Sequence, residues 1–171
     1  VKAAYKTKSG DALNIGNLTH EWLEKAIKWK LGEGEAPDNP TNEGVINAVD
    51  AFREWVKEND VNWISSEEKL YNRGYKYAGT VDAIAEINGE YCVIDWKTSR
   101  AIYPEYYLQV AAYAKAVEDM KGRHVDATYI LRCDKTTGMF EAARSAEPEL
   151  SENFKAFLSA KFLFHRMKEL K

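Results

Sequence analysis

Only two cysteines, Cys92 and Cys133, occur in the 171 residues. Two thiols cannot supply the four ligands of an iron–sulfur cluster, and a structural zinc site is equally unsupported. Both fall in strand-like apolar runs and are expected as small core residues. No run of eighteen apolar residues exists, which leaves no candidate for a membrane-spanning helix. The opening Val1-Lys2-Ala3-Ala4-Tyr5-Lys6 lacks the apolar centre of a secretory signal, so a cytoplasmic location is expected. A start at Val1 rather than methionine points to a processed or excised fragment. Positive charge is also short: 24 Lys and Arg against 27 Asp and Glu give a net −3. That argues against nucleic-acid binding by bulk charge. It leaves room for a basic groove around an acidic centre. Lys25-Lys28-Lys30, Lys69-Arg73-Lys76, Lys97-Arg100 and Lys121-Arg123 would suit such a groove, or would simply be solvated faces.

What is present suffices for one globular domain over residues 1–171. Apolar residues make up 45% and charged residues 30%, the balance of a soluble protein with a full core. Residues 1–15 are polar and weakly periodic, and read as a loop-like lead-in. A helix is expected from Asn17 to Leu31, then a Gly- and Pro-rich loop, then a helix from Asn42 to Asn59. In the second helix Val45, Val49, Phe52 and Val56 recur at helical spacing. Strands follow at Asn62–Asn72, Tyr77–Ile87 and Tyr91–Lys97, the last two joined by an Asn88-Gly89 hairpin turn. Pro104 opens a helix that runs to Asp119. A strand at Val125–Cys133 should alternate Val125, Ala127, Tyr129 and Leu131 inward. The turn Asp134–Gly138, a short strand Met139–Ala143 and a helix Pro148–Leu170 complete the chain. Phe154, Phe157, Leu158, Phe162 and Phe164 are the expected packing residues of that helix. A strand–helix–strand unit across Pro104–Asp119 requires a parallel pair with a right-handed crossover. The result is a mixed sheet with helices on both faces.

The chemistry concentrates in Gly79-Thr80-Val81-Asp82 and Val93-Ile94-Asp95-Trp96-Lys97-Thr98. Strand side chains alternate, so Asp95 and Lys97 share a face. The hairpin folds Asp82 back beside Asp95. Two carboxylates and an ammonium converging on one sheet end suit metal-dependent phosphodiester cleavage, since oxygen ligands match a hard divalent cation. Acid-x-lysine alone is common, and three other such triplets occur, at Glu67, Asp119 and Glu169. Asp95-x-Lys97 differs because it ends the apolar run Tyr91-Cys92-Val93-Ile94, where a merely solvated pair is unexpected. Gln109 and Tyr113 lie four apart on the following helix and face the same way. Gly16-Asn17-Leu18-Thr19-His20 leads into the first helix. Taken singly, His20 reads as a helix-surface or core-edge histidine, and Gln109 with Tyr113 as an ordinary helix pair.

In combination, Gly-x-x-x-His, a glutamate, Gly-Thr-Val-Asp, Ile-Asp-Trp-Lys-Thr and Gln-x-x-x-Tyr resemble the RecB-type nuclease branch of the PD-(D/E)xK superfamily. The resemblance covers about Gly16 to Tyr113. It implies an α/β, restriction-endonuclease-like mixed β-sheet flanked by helices. It also implies a Mg2+- or Mn2+-dependent deoxyribonuclease, an exonuclease on single-stranded DNA or DNA ends in repair, recombination or phage DNA processing. The matching metal-binding positions are His20, Glu67, Asp82, Asp95 and the backbone carbonyl of Trp96. The matching catalytic positions are Asp82, Asp95, Lys97, Gln109 and Tyr113. Glu67 competes with its neighbour Glu68. It is preferred because Glu67, Lys69 and Tyr71 then share a face and Leu70 enters the core. The Trp96 side chain is expected in the core. Thr98 and Ser99 would either donate to a phosphate or cap the strand end. Two other readings stand beside this one. The chain could be an inactive nucleic-acid-binding module, or a nuclease subunit of a helicase or CRISPR-adaptation complex.

Overall fold

The computed structural model describes residues 2–134, 137 and 139–170, with side chains described from Ile15 onward. Its elements run α1 (Lys2–Lys30), α2 (Glu43–Glu58), β1 (Val61–Asn72), β2 (Tyr77–Ile87), β3 (Glu90–Lys97), α3 (Pro104–Lys121), β4 (Ala127–Cys133), β5 (Phe140–Ala146) and α4 (Glu149–Glu169). The five strands form one sheet in the order β1-β2-β3-β4-β5. β3 and β4 are parallel, as the α3 connection demands, and their neighbours pair antiparallel. This is the α/β mixed sheet that the sequence predicts. The β2–β3 turn works as its residues suggest, with Asn88 at φ 52° and Gly89 at φ 86°. The Asn88 side chain also accepts the Asp60 N–H at 3.0 Å, tying the turn to the start of β1.

Helices α1 and α2 cover one sheet face. Leu23, Ile27, Phe52 and Trp55 pack there against Ala83, Ala85, Ile94 and Trp96. Asn42 caps α2 by accepting from the Gly44 N–H at 2.9 Å, which satisfies one orphan donor of the first turn. Val45, Val49 and Phe52 are buried as their spacing predicts. Helix α3 covers the other face, where Ala114 and Val117 meet Leu70, Val81, Ile84 and Val93. Both cysteines are buried and unpaired. No described helix is long and apolar enough to cross a membrane.

Three expectations need correction. Residues 2–15 are helical, not a loop. Once packing at Leu23 and Ile27 nucleates α1, each added residue gains a hydrogen bond at little cost, so weak periodicity is no bar to extension. Ala127, Tyr129 and Leu131 do point together into the core under α1 and α2, but Val125 precedes β4 and packs on the α3 side, and the other four residues of the strand are buried as well. A strand parallel to β3 in the sheet interior is covered on both faces. Phe162 and Phe164 are 71% and 56% exposed and are not packing residues, whereas Phe154 is buried. The first turns of α4 meet α3, and the helix then runs past the sheet. The Asp134–Gly138 turn falls partly outside the described residues, at positions 135, 136 and 138.

Candidate active site

The candidate site lies where β2 and β3 part. Their ladder runs from Ile87↔Glu90 to Ala83↔Ile94. Beyond it, the Trp96 N–H is donated to Asp82 Oδ2 at 2.7 Å instead of to a strand carbonyl. Asp82 therefore stands in the mouth of a fork, next to Asp95, and helps hold β3 there. On the edge strand, a bulge between Trp63 and Ser65 shifts the register. The flanking pairs Ser66↔Ala83 and Glu68↔Val81 then leave Glu67 opposite Asp82. Glu67 adopts φ 51°, a left-handed conformation that costs a non-glycine residue on the order of 1–3 kcal/mol. The twist turns its carboxylate toward α1. Glu68 points the other way and pairs with Lys121 at 2.5 Å.

Helix α1 delivers His20. Its Nδ1 is 3.8 Å from Asp82 Oδ2, and one ligand atom each from His20, Glu67 and Asp82 lie within 4.8 Å of one another. An imidazole and two carboxylates so placed could hold a divalent cation. Gly16, one turn before His20, explains how the helix comes so close. A Cβ at Gly16 would sit 2.8 Å from Thr98 Oγ1, just past the end of β3. We expect Gly16→Leu to push α1 off β3, lowering stability by about 1–3 kcal/mol and weakening metal binding. Gly34→Leu, where a Cβ meets nothing within 4 Å, is the matched control. Melting and calorimetry of the two variants check this.

Asp95 and Lys97 share the α3 face and form an ion pair at 2.5 Å, with side chains 3% and 17% exposed. Asp95 is not one of the three clustered groups. Lys97 Nζ also sits 4.8 Å from the Tyr106 ring centroid, so its ammonium is held between a carboxylate and a π face. The Trp96 side chain turns to the opposite face and packs edge-on against Phe52, in the core as expected. Gln109 donates to the Tyr113 hydroxyl at 2.8 Å. The Tyr113 ring rests on Gly79, where a Cβ would come within 2.7 Å of Cε1. That contact accounts for the glycine of Gly-Thr-Val-Asp.

The electrostatics follow from burial. Desolvation, and then the neighbouring Asp95, push the Asp82 carboxyl well above the ordinary range. Asp95 is raised by burial, against the pull of Lys97. Glu67 is raised by burial and by Glu24, with Lys28 opposing. His20 is lowered by burial and by Lys97, which keeps it neutral and free to offer a nitrogen lone pair. Tyr113 is raised by burial, with the acids Asp95, Asp82 and Glu67 adding to the effect. It thus faces the same negative centre.

Two contributors escape sequence reading. Glu24 lies one turn beyond His20 on α1 and is ion-paired with Lys28 at 2.5 Å. The helical i,i+4 spacing from His20 was the available signal. Arg132 is 3% exposed. It donates to the backbone carbonyls of Ser99 and Arg100 at 3.1 and 3.0 Å and to Glu141 at 3.1 Å. It thereby anchors the segment after Lys97 to β4 and β5. Nothing local in the sequence marks it. The Ser99 hydroxyl donates to the Ala101 carbonyl at 2.7 Å, a bond within the loop that follows β3.

A mixed sheet with acids at a strand fork and a lysine two residues beyond one of them is the core of a nuclease fold. The chain belongs to the PD-(D/E)XK nuclease superfamily, whose sequence profile matches residues 2–168. Among curated relatives, human mitochondrial genome maintenance exonuclease 1 is 29% identical over 120 residues, covering 66% of this chain and 33% of the relative. The Xenopus tropicalis protein of the same name is 33% identical over 92 residues, covering 50% of this chain and 25% of the relative. The chain thus spans about a third or less of these proteins' length. The solved structure of a protein assigned as an exonuclease, from Eubacterium rectale, superposes with a TM-score of 0.60 at 13% identity. It covers 91% of this chain and 68% of the other, a likeness of fold.

Proposed function

We propose that the chain is a divalent-metal-dependent deoxyribonuclease of the RecB-type branch, an exonuclease acting on single-stranded DNA or DNA ends. The observation that carries this reading is the His20–Glu67–Asp82 cluster beside the buried Asp95–Lys97 pair. The exonuclease relatives support the direction of the reading. His20, Glu67 and Asp82 would hold the ion, with Asp95 and the Trp96 carbonyl as further ligands. A bound Mg2+ or Mn2+ would stabilise charge on the scissile phosphate and make a coordinated water more nucleophilic. Lys97, fixed by Asp95, places an ammonium where negative charge develops. The Gln109–Tyr113 pair orients the strand against Gly79. The chain is proposed to be one nuclease domain with a cytoplasmic location. Digestion of end-labelled single-stranded, duplex and circular DNA, with each metal and with chelator, tests the whole reading. Cleavage that survives chelation, or circles cut as fast as linear strands, would overturn it.

A second reading, a nuclease module working inside a larger DNA-processing assembly such as one with a helicase, is favoured by α4. Phe162, Leu163, Phe164 and Met167 are all more than half exposed there. A single discrete monomer, measured by light scattering on the native material, would count against it.

His20 gives a separate check. As a neutral ligand it must shed its proton before binding metal, so affinity should fall as pH drops through the imidazole range. His20→Ala should weaken Mn2+ binding and make the pH dependence shallower. His124 is the control, since it only pairs with Glu118 at 2.6 Å on the surface. His124→Ala should stay within about 1 kcal/mol in stability and bind metal normally. Calorimetric titrations at several pH values separate the two outcomes.

A further inference from the structure

Beyond the metal cluster, the described residues of this sheet face are exposed. Proceeding along β1 from Glu67, the same face carries Lys69 and Tyr71. Their partners on β2 are Thr80 and Ala78, and all four are exposed. Directly opposed residues of an antiparallel pair share a face, so the sequence of pairs is Glu67 with Asp82, Lys69 with Thr80, Tyr71 with Ala78. The small β2 side chains leave a shallow trough that begins at the metal cluster. At about 3.4 Å per residue, Tyr71 stands roughly 14 Å from Glu67.

The charges in this trough differ from most of those described on α1 and α2. Lys25, Lys28, Arg53 and Lys57, on α1 and α2, each hold a carboxylate three or four residues away. Among the described residues Lys69, Arg73 and Lys76 form no ion pair with any acid. The Arg73 guanidinium lies 5.4 Å from the Tyr71 ring centroid. It can cover only one side of a ring that is 44% exposed. Unneutralised cations beside an open aromatic face match a strand of phosphates carrying unstacked bases.

We infer that the β1–β2 hairpin is a binding arm for single-stranded DNA. A base stacks on Tyr71, and Lys69 and Arg73 take the flanking phosphates, so that the strand runs along the trough to Glu67 and Asp82. The inference rests on the nuclease reading for its direction toward the metal cluster. It deepens that reading by naming the form of the substrate: recognition is independent of sequence, because every base has a π face.

The test is fluorescence anisotropy of an end-labelled oligothymidylate with calcium in place of magnesium, beside hydrolysis of bis-p-nitrophenyl phosphate with Mn2+. Tyr71→Ala and Tyr71→Leu should bind the oligomer about tenfold more weakly, and Tyr71→Trp should bind like wild type. Lys69→Gln and Arg73→Gln should each reduce the slope of log affinity against log salt by about 0.7. All five variants should hydrolyse the small diester at the wild-type rate and melt normally, since none touches the metal cluster or the core. Wild-type binding in Tyr71→Ala with unchanged salt slopes would overturn the inference and leave the nuclease reading standing. Tyr71-dependent binding by a protein that cleaves no DNA would sink the nuclease reading and uphold the arm. Tighter binding of oligouridylate than of oligothymidylate would overturn the assignment to DNA.

Discussion

Asp82→Asn should abolish cleavage and raise the melting temperature of the metal-free protein at neutral pH. The carboxyl is pushed up from an ordinary 3.8 by burial and by Asp95, so the fold holds its proton more tightly than the unfolded chain does. Stability from that proton is fully present below the ordinary value and is lost as pH rises through the raised one. Asp95 and Glu67 shift the same way, while the lowered His20 opposes them at the acid end. The metal-free wild type should therefore be more stable near about pH 5 than near about pH 8, losing about 1.4 kcal/mol per pH unit for each proton the fold retains. Asparagine removes the buried charge yet keeps an oxygen to accept the Trp96 N–H. Asp82→Ala removes both, and the orphaned donor costs about 1–3 kcal/mol, which offsets the gain. Metal at a hundred times its dissociation constant should stabilise the wild type by about 2.7 kcal/mol and should not stabilise Asp82→Asn. Thermal melts at the two pH values, with and without Mn2+, read all of this. Full activity in Asp82→Asn would remove Asp82 from the site.

Lys97→Met should cost roughly two or more orders of magnitude in rate, the scale of losing one group that stabilises transition-state charge, while retaining most of the metal affinity. The structure adds a consequence that concerns Asp95. With the ammonium gone, a carboxylate only 3% exposed has no counter-charge, a situation that costs about 3–5 kcal/mol when the charge is kept. The carboxyl escapes by taking up a proton, so the variant should lose little stability at low pH and progressively more as pH rises. Pairing Lys97→Met with Asp95→Asn should remove that pH dependence without restoring the rate. A collapse of metal affinity in Lys97→Met alone would mean that the lysine organises the site and has no separate part in the chemistry.

Periodicity and turn chemistry gave the sheet and most of its boundaries. β2 begins and ends at Tyr77 and Ile87, as its alternation and the Asn-Gly turn require. The reasons for the motif glycines lie in contacts distant along the chain. Gly16 and Gly79 are there for contacts with Thr98 and Tyr113, residues 82 and 34 positions away, and no local pattern encodes such pairs. Glu67 could be favoured over Glu68 from alternation with Leu70. Its left-handed backbone and the upstream bulge were beyond reach, because both answer to the packing of an edge strand and not to propensity. Arg132 was hidden for a related reason. A buried arginine is defined by the carbonyls it meets, and these belong to a segment some thirty residues earlier. The failure at Phe162 and Phe164 is of another kind, since apolar periodicity shows that a helix has a face but not that this chain covers it.

The Trp96 amide makes the proposed metal site observable from the backbone. Its proton is held by a side chain that is also a proposed ligand, so the electron density available to that hydrogen bond changes when the carboxylate shares its charge with an ion or accepts a proton. Hydrogen–deuterium exchange at this one amide, or its nitrogen chemical shift, should therefore titrate with metal and with pH. The neighbouring amides of Val93 and Ile94, locked in the regular ladder, should remain silent. A single native reporter of occupancy, with no label and no turnover, follows from the place where two strands cease to pair.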